Sequence, residues 1–249
     1  MSAPLGVPHD GRARRAPRAP GRRFAERGRS PRPAPRSRVS RAPGSEARGR
    51  RGGPRPLRAT LPPSVSQAHR VPTYEDLLAI PEHQIGQIVE GVLYAHPRPA
   101  MRHARAASVL GSDLGGPFDR GRGGPGGWII LIEPELHLGA DIVVPDLAGW
   151  RRERMPEMPD DAFATLPPDW VCEVLSPGTS KVDRGPKRRV YARESVRHLW
   201  FVDPTDRTVE VFRLEGGGYL LVHSFEDDAV ARIEPFDAIE LELAALWSR

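Results

Sequence analysis

Residues 170–204 read WVCEVLSPGTSKVDRGPKRRVYARESVRHLWFVDP, and this stretch decides the fold. WVCEVL is a short apolar strand interrupted by one acid, Glu173, and stopped by Pro177. DRGPKRRVYARESV predicts a helix with Asp183 as N-cap and Pro186 in its first turn. HLWFVD then returns to strand. Period-two alternation places Val171 and Leu175 on the side of Glu173 and Cys172 on the opposite side, as a small core residue. A carboxylate amid apolar strand residues is costly to bury unless it is paired or holds a cation. Pairing with an arginine such as Arg188 is the plain structural alternative.

Working toward the N-terminus, DIVVPDLAGW (141–150) follows a turn at Gly139–Ala140 and brings Asp146 after the apolar run Ile142 to Val144. WIILIEPELHLG (128–139) is strand-like but broken at Pro134. Residues 151–168, polar and marked by prolines, form an excursion from the core. GGPFDRGRGGPGG (115–127) has the glycine density of a loop and lacks the Lys-Ser/Thr of a phosphate-binding loop. RHARAASVLGSDL (102–114) has helical spacing at Ala107, Leu110 and Leu114. QIGQIVEGVLYAHP (84–97) predicts a hairpin about Glu90-Gly91. Thr73 caps a short helix, with Asp76 at its third position. Toward the C-terminus, TVEVFRL and GYLLVHSF add two strands, and EGGGY is the turn between them. The order of elements implies an α/β (α+β) domain over residues 71–249, a mixed β-sheet flanked by helices.

Charge divides the chain. Residues 1–70 hold 18 arginines, no lysine and three acids, a formal +15; the rest of the 249 residues then sum to −10 within an overall +5. The high isoelectric point therefore describes residues 1–70 and not the domain. That Arg/Pro/Ala-rich tail is too poor in apolar side chains to offset the entropy of ordering, so disorder is expected. Contact with nucleic acid, a targeting-type tail and untranslated upstream sequence all remain open for it. A single cysteine, Cys172, excludes an intrachain disulfide, and no apolar run reaches membrane-spanning length. A cytoplasmic protein is the expectation.

Lysine usage is the second clue. Among 37 basic residues only Lys181 and Lys187 are lysine. Lysine is a compact point charge with a tunable pKa, whereas arginine is a planar fork. Asp183, Lys187 and Tyr191, at i, i+4 and i+8, share a helix face. Read singly, Asp146 is as readily a turn acid and Lys187 a solvated helix lysine; the combination with Glu173 is what points to a site. Two carboxylates at neighbouring strand ends can hold a hard divalent cation that activates water and neutralises phosphate charge. His69, His83, His96 and His137 show no metal-ligand spacing.

IVVPDLAGW followed by WVCEVLSPGTSKVDRGPKRRVYARESVRHLWFVDPTDRTVEVFRL resembles the Uma-two family of restriction-endonuclease-like proteins, within the PD-(D/E)XK nuclease superfamily. The resemblance spans roughly Tyr74 to Trp247 and is strongest from Pro145 to Leu214. It implies a restriction-endonuclease-like fold and hydrolysis of phosphodiester bonds in DNA with Mg²⁺ or Mn²⁺. Carried onto this chain, the metal-binding acids fall on Asp146 and Glu173, with Glu90 of the hairpin as a further candidate ligand. The superfamily's strand lysine position is Leu175 here, and the resemblance implies that Lys187 on the following helix replaces it, beside Asp183 and Tyr191. His103 matches a histidine that opens the long helix and approaches the scissile phosphate. Gln87 stands where the family's hairpin has its first acid, Ser195 stands for a glycine and His198 for a glutamate. Arg184, Arg188, Arg189 and Arg193 are expected to offer a basic face to DNA, and a homodimer would allow both strands to be cut. The alternative is a catalytically inactive nuclease scaffold that serves as a binding or regulatory module.

Overall fold

The structure is a computed structural model, and it describes residues 70–248. The expected disordered tail, residues 1–70, lies outside the described residues except for Arg70. The ordered region opens on α1 (Tyr74–Leu78), whose N-cap Thr73 and Asp76 form the capping box anticipated from sequence. The hairpin of β1 (Gln84–Val89) and β2 (Val92–Pro97) turns through Glu90 and Gly91, both at positive φ (51° and 74°), as a two-residue primed turn demands. That turn pairs Val89 with Val92 and so sets the register, Gln87 with Tyr94 and Ile85 with His96.

The long helix α2 (Met101–Leu114) buries Ala106, Ala107, Leu110 and Leu114. It does not stop at the glycines. Gly115–Asp119 add one π-helical turn that buries Phe118, so the expected loop begins only after it. Pro134 does break the next apolar run, into β3 (Trp128–Ile132) and β4 (Leu136–Leu138), and the two pieces belong to different sheets. Pro145 acts likewise. It separates β5 (Asp141–Val143) from β6 (Leu147–Arg151), and Asp146 sits in the crossing between the two sheets.

Strand β7 (Trp170–Val174) leads through a helical segment to β8 (His198–Asp203), which pairs with it in parallel. The segment begins earlier than its sequence implies. α3 (Ser180–Val182) runs into a π-helical stretch, Asp183–Lys187, and then α4 (Arg188–Arg193). Asp183 is thus inside the helix and not its N-cap. Pro186 lacks the N–H that an α-helical ladder would use, and the wider turn accommodates it. β9 (Thr208–Glu215) and β10 (Gly218–Glu226) complete a six-stranded sheet, in the order β10-β9-β8-β7-β6-β3. The second sheet is β2-β1-β5-β4, and β11 (Val230–Ala231) pairs with β12 (Leu241–Glu242) before α5 (Ala244–Trp247).

The six-stranded sheet separates two cores. Cys172 and Val174 face α2 and the C-terminal segment, while Val171 and Leu175 face the four-stranded sheet and α4. The first core is built around aromatic rings. Phe236 lies 4.7–5.7 Å, ring centre to ring centre, from Phe118, Trp128, Trp170 and Trp200. Next to it, Trp200 Nε1 donates to the carbonyl of Glu234, and buried His198 holds its Nδ1 3.9 Å from Glu234 Oε1. Burial, and then the charges of Arg197, Arg151 and Arg213, push His198 down to about 4. No helix among the described residues is long and apolar enough to cross a membrane.

Phe236→Ala removes the ring that joins four others, and a loss of about 3–5 kcal/mol is expected in urea unfolding. His198 sets a pH dependence. Its folded pKa lies below the unfolded value near 6.5, so its contribution is complete above 6.5 and is lost as pH falls toward 4. Thermal melts of wild type should therefore fall through that window, and His198→Asn should flatten the slope there.

Candidate active site

The chemistry-bearing side chains converge on a small cleft where the two sheets meet. Ile85, Gln87 and His96 line it from the hairpin, Pro97, Pro99 and His103 from the turn into α2 and from its first turn, and Val144 and Asp146 from the crossing. Glu173, Ser176, Thr179, Asp183 and Lys187 line the opposite side.

Lys187 is the pivot. Its side chain is only 2% exposed, as is that of Glu173, and Nζ lies 2.7 Å from Glu173 Oε1. Nζ also reaches Asp183 Oδ1 at 3.4 Å and the carbonyl of Val144 at 3.3 Å. Glu173 and the Val144 carbonyl take hydrogen bonds from the ammonium, and Asp183 adds a longer ion pair. Tyr191, four residues further along the helical segment, donates its hydroxyl to the same Glu173 Oε1 at 2.5 Å. Arg188, the alternative partner for Glu173, instead stacks on Phe212 and donates to the carbonyl of Tyr219.

Asp146 is held from two sides. Its Oδ2 accepts the N–H of Val174 at 2.7 Å, which ties it to the end of β7, and Oδ1 lies 3.2 Å from His103 Nε2. Gln87 Oε1 accepts the N–H of Val144 at 2.9 Å, so the residue in place of an acid braces the crossing.

The electrostatics follow from the count of charges. Three carboxylates, Asp146, Glu173 and Asp183, share the cleft with one buried ammonium. Burial pushes Glu173 up to about 8, with Asp183 and Asp146 adding to the rise and Lys187 opposing it. Burial alone would lower Lys187, but the charges of Glu173 and Asp183 outweigh it and hold the ammonium above its ordinary value. For His103 burial pulls down, and the hydrogen bond and charge of Asp146 more than compensate. His96 is lowered by burial, against the pull of Asp183 and with the push of Lys187.

Glu90 does not join this group. It lies at the tip of the hairpin, where Arg189 grips its carboxylate in a fork at 2.8 and 2.6 Å. The arginines expected to face DNA are all engaged by the protein itself, although Arg184, Arg189 and Arg193 stay exposed. Arg184 pairs with Glu210, Arg188 is engaged as above, Arg189 holds Glu90, and Arg193 reaches Asp141 and Glu194. Arg98, Arg102 and Lys181 have no carboxylate partner among the described residues and stand close in sequence to residues that line the cleft. His96 escaped a search for ligand spacing, yet the primed turn at Glu90-Gly91 fixes the hairpin register and with it the shared face of Gln87 and His96.

Among the described residues no three His, Cys, Asp or Glu side chains form a ready cation cage. A small hard cation that keeps several waters needs only one or two carboxylates. Asp146 and Glu173 meet that requirement. Glu173 Oε2 has no protein donor among the described residues, and a divalent ion would favour the ionised form of a carboxyl that burial pushes up.

Removing one partner of a buried ion pair strands the other. Lys187→Met is expected to lower stability by about 3–5 kcal/mol in chemical unfolding, and adding Glu173→Gln to it should recover a large part. A loss equally large in the double variant would mean that packing around Lys187, not the stranded charge, carries the cost.

Residues 71–245 match the model of the family described as "Uma2: Putative restriction endonuclease". A solved structure described as a "putative nuclease belonging to DUF820" from Anabaena variabilis ATCC 29413 is similar in fold. It is 23% identical, with a TM-score of 0.58 over 70% of this chain and 97% of the other. No curated protein matches the chain. With the match running from ahead of the first helix into the last, the chain belongs to the Uma2 family of restriction-endonuclease-like proteins.

Proposed function

We propose that the domain is a metal-dependent DNA endonuclease whose site is Asp146, Glu173 and Lys187, with His103 and Tyr191 in support. The observation that carries this reading is the cluster of three carboxylates and one lysine sealed into one cleft. Burying such a set costs stability, and a core built for stability alone would replace it with apolar side chains. Membership of a nuclease family adds to the reading, and DNA enters as its substrate on that ground.

Mg²⁺ or Mn²⁺, held by Asp146 and Glu173, would supply an activated water and neutralise charge on the phosphate. The chain's own residues orient the acids. The Val174 N–H and His103 pin Asp146, while Tyr191 and Lys187 pin Oε1 of Glu173 and leave Oε2 free. Lys187, hydrogen-bonded to Glu173 and the Val144 carbonyl, acts on the reaction through Glu173 and the field of the cleft. Glu90, bound to Arg189, is left out of the metal set. Arg98, Arg102 and Lys181 supply the positive charge that a phosphate backbone requires. A homodimer fits the same reading, because β10 is an edge strand with exposed Leu220 and Leu221 that a second copy can pair with.

The rival, a scaffold without catalysis, draws on Gln87 in place of an acid and on the engagement of Lys187 by the protein itself. Nicking of supercoiled plasmid separates the two. Wild type should nick with Mg²⁺ or Mn²⁺ and not in EDTA. Glu173→Gln and Asp146→Asn should each lose on the order of 10²-fold or more, with melting curves showing that they fold. A wild type inert on every nucleic acid, or variants as active as wild type, would remove the enzyme assignment.

A further inference from the structure

The hairpin wall of the cleft has no part in the catalytic roles assigned so far. Gln87 on β1 and His96 on β2 lie on one face of the hairpin, because Gln87 pairs with Tyr94 and His96 stands two residues beyond it. Both line the cleft. Each has a spare hydrogen-bonding nitrogen. Gln87 gives its Oε1 to the Val144 N–H, which leaves its Nε2 without an acceptor among the described residues. His96 Nε2 is buried and without a partner there, and its ring is held by stacking on Tyr94, 6.1 Å away and 13° from parallel.

Elsewhere in the cleft the donors are largely engaged. Lys187 contacts Glu173, Asp183 and the Val144 carbonyl. The hydroxyls of Ser176 and Thr179 bond to each other, which uses one of their two protons. His103 turns its Nε2 to Asp146 and keeps Nδ1 buried and without a partner. A phosphodiester entering this cleft meets three carboxylates, and the hairpin adds donors to offset them.

We propose that the hairpin wall is a phosphate-binding surface, where Gln87 Nε2 and His96 Nε2 donate to non-bridging oxygens of the scissile phosphodiester. The assignment rests on the endonuclease reading for the identity of the phosphate. It also gives Gln87 a purpose. An acid at that position would face the incoming phosphate with a fourth negative charge, whereas the amide braces Val144 with its oxygen and offers N–H to the substrate. The chemistry recognised is that of a phosphate oxygen, from duplex or single-stranded DNA or from free phosphate.

The test is binding of labelled duplex and single-stranded oligonucleotides in EDTA, followed by anisotropy, with inorganic phosphate as competitor. His96→Ala and Gln87→Glu should each weaken binding about tenfold or more, as loss of a hydrogen bond to a charged acceptor does. His96→Gln, which carries an N–H close to the position of Nε2, should restore most of the loss. For His96→Ala the slope of log affinity against log salt should stay that of wild type, whereas Arg102→Ala should reduce it by about one. In nitrogen-resolved NMR the His96 ring signal should shift on adding oligonucleotide. Inorganic phosphate that produces the same shift would locate the contact at the phosphate and not at a base.

Variants that bind as wild type does would overturn the proposal. So would a loss in His96→Ala that His96→Gln shares, or a wild type that binds neither oligonucleotide. Because the binding is read without metal, its outcome is separate from catalysis. A wild type that never nicks plasmid yet shows these binding losses keeps the phosphate wall and loses the endonuclease reading. A wild type that nicks, with His96→Ala unchanged in binding and rate, does the reverse.

Discussion

Lys187 Nζ stands 2.7 Å from Glu173 Oε1 with both side chains closed off from solvent, and much else in the domain is arranged around that contact. It draws together the end of β7, the π-helical stretch through Asp183 and, by the bond to the Val144 carbonyl, the crossing between the sheets. Tyr191 closes the group from α4. Three separate segments of chain therefore meet on one ammonium. A buried pair of this kind gives little net stability, since desolvation offsets most of the attraction. Its effect is on geometry: the carboxylates are held where an apolar replacement would leave nothing.

The irregular features of the fold serve the same end. Pro145 ends β5 and lets the chain pass from one sheet to the other, and Asp146 lands in that passage with its Oδ2 on the Val174 N–H. Pro186 forces a wider helical turn, and both Asp183 and Lys187 on that turn reach the cleft. The strong outward charges, by contrast, are neutralised locally, as with Arg189 on Glu90 and Arg184 on Glu210. What remains open to a ligand is a small cleft lined by acids and by the neutral donors of the hairpin.

Much of this was legible in the residues themselves. Glu173 stood out because an acid amid Val171, Cys172 and Val174 must find a partner, and Lys187 because the chain otherwise uses arginine. The capped first helix, the hairpin turn and the breaks at Pro134 and Pro145 follow from local backbone chemistry, which acts over a few residues and leaves its mark in the sequence. Membership of the Uma2 family agrees with the motif resemblance over nearly the same span.

Other features depended on contacts between residues far apart in the chain. Glu90 carries the residue type of a ligand, but Arg189, 99 positions away, takes its carboxylate. The arginines from Arg184 to Arg193 look like a basic face until Glu210, Tyr219 and Asp141 are brought up to them. Gly115–Asp119 keeps a helical turn despite its glycines because Phe118 is drawn into the core against Phe236. The sequence by itself determined which side chains are expensive to bury and where the backbone must turn, since those costs are local. Only the tertiary structure decided which charges are cancelled and which still face the cleft, because that depends on partners that folding alone brings within a few ångströms.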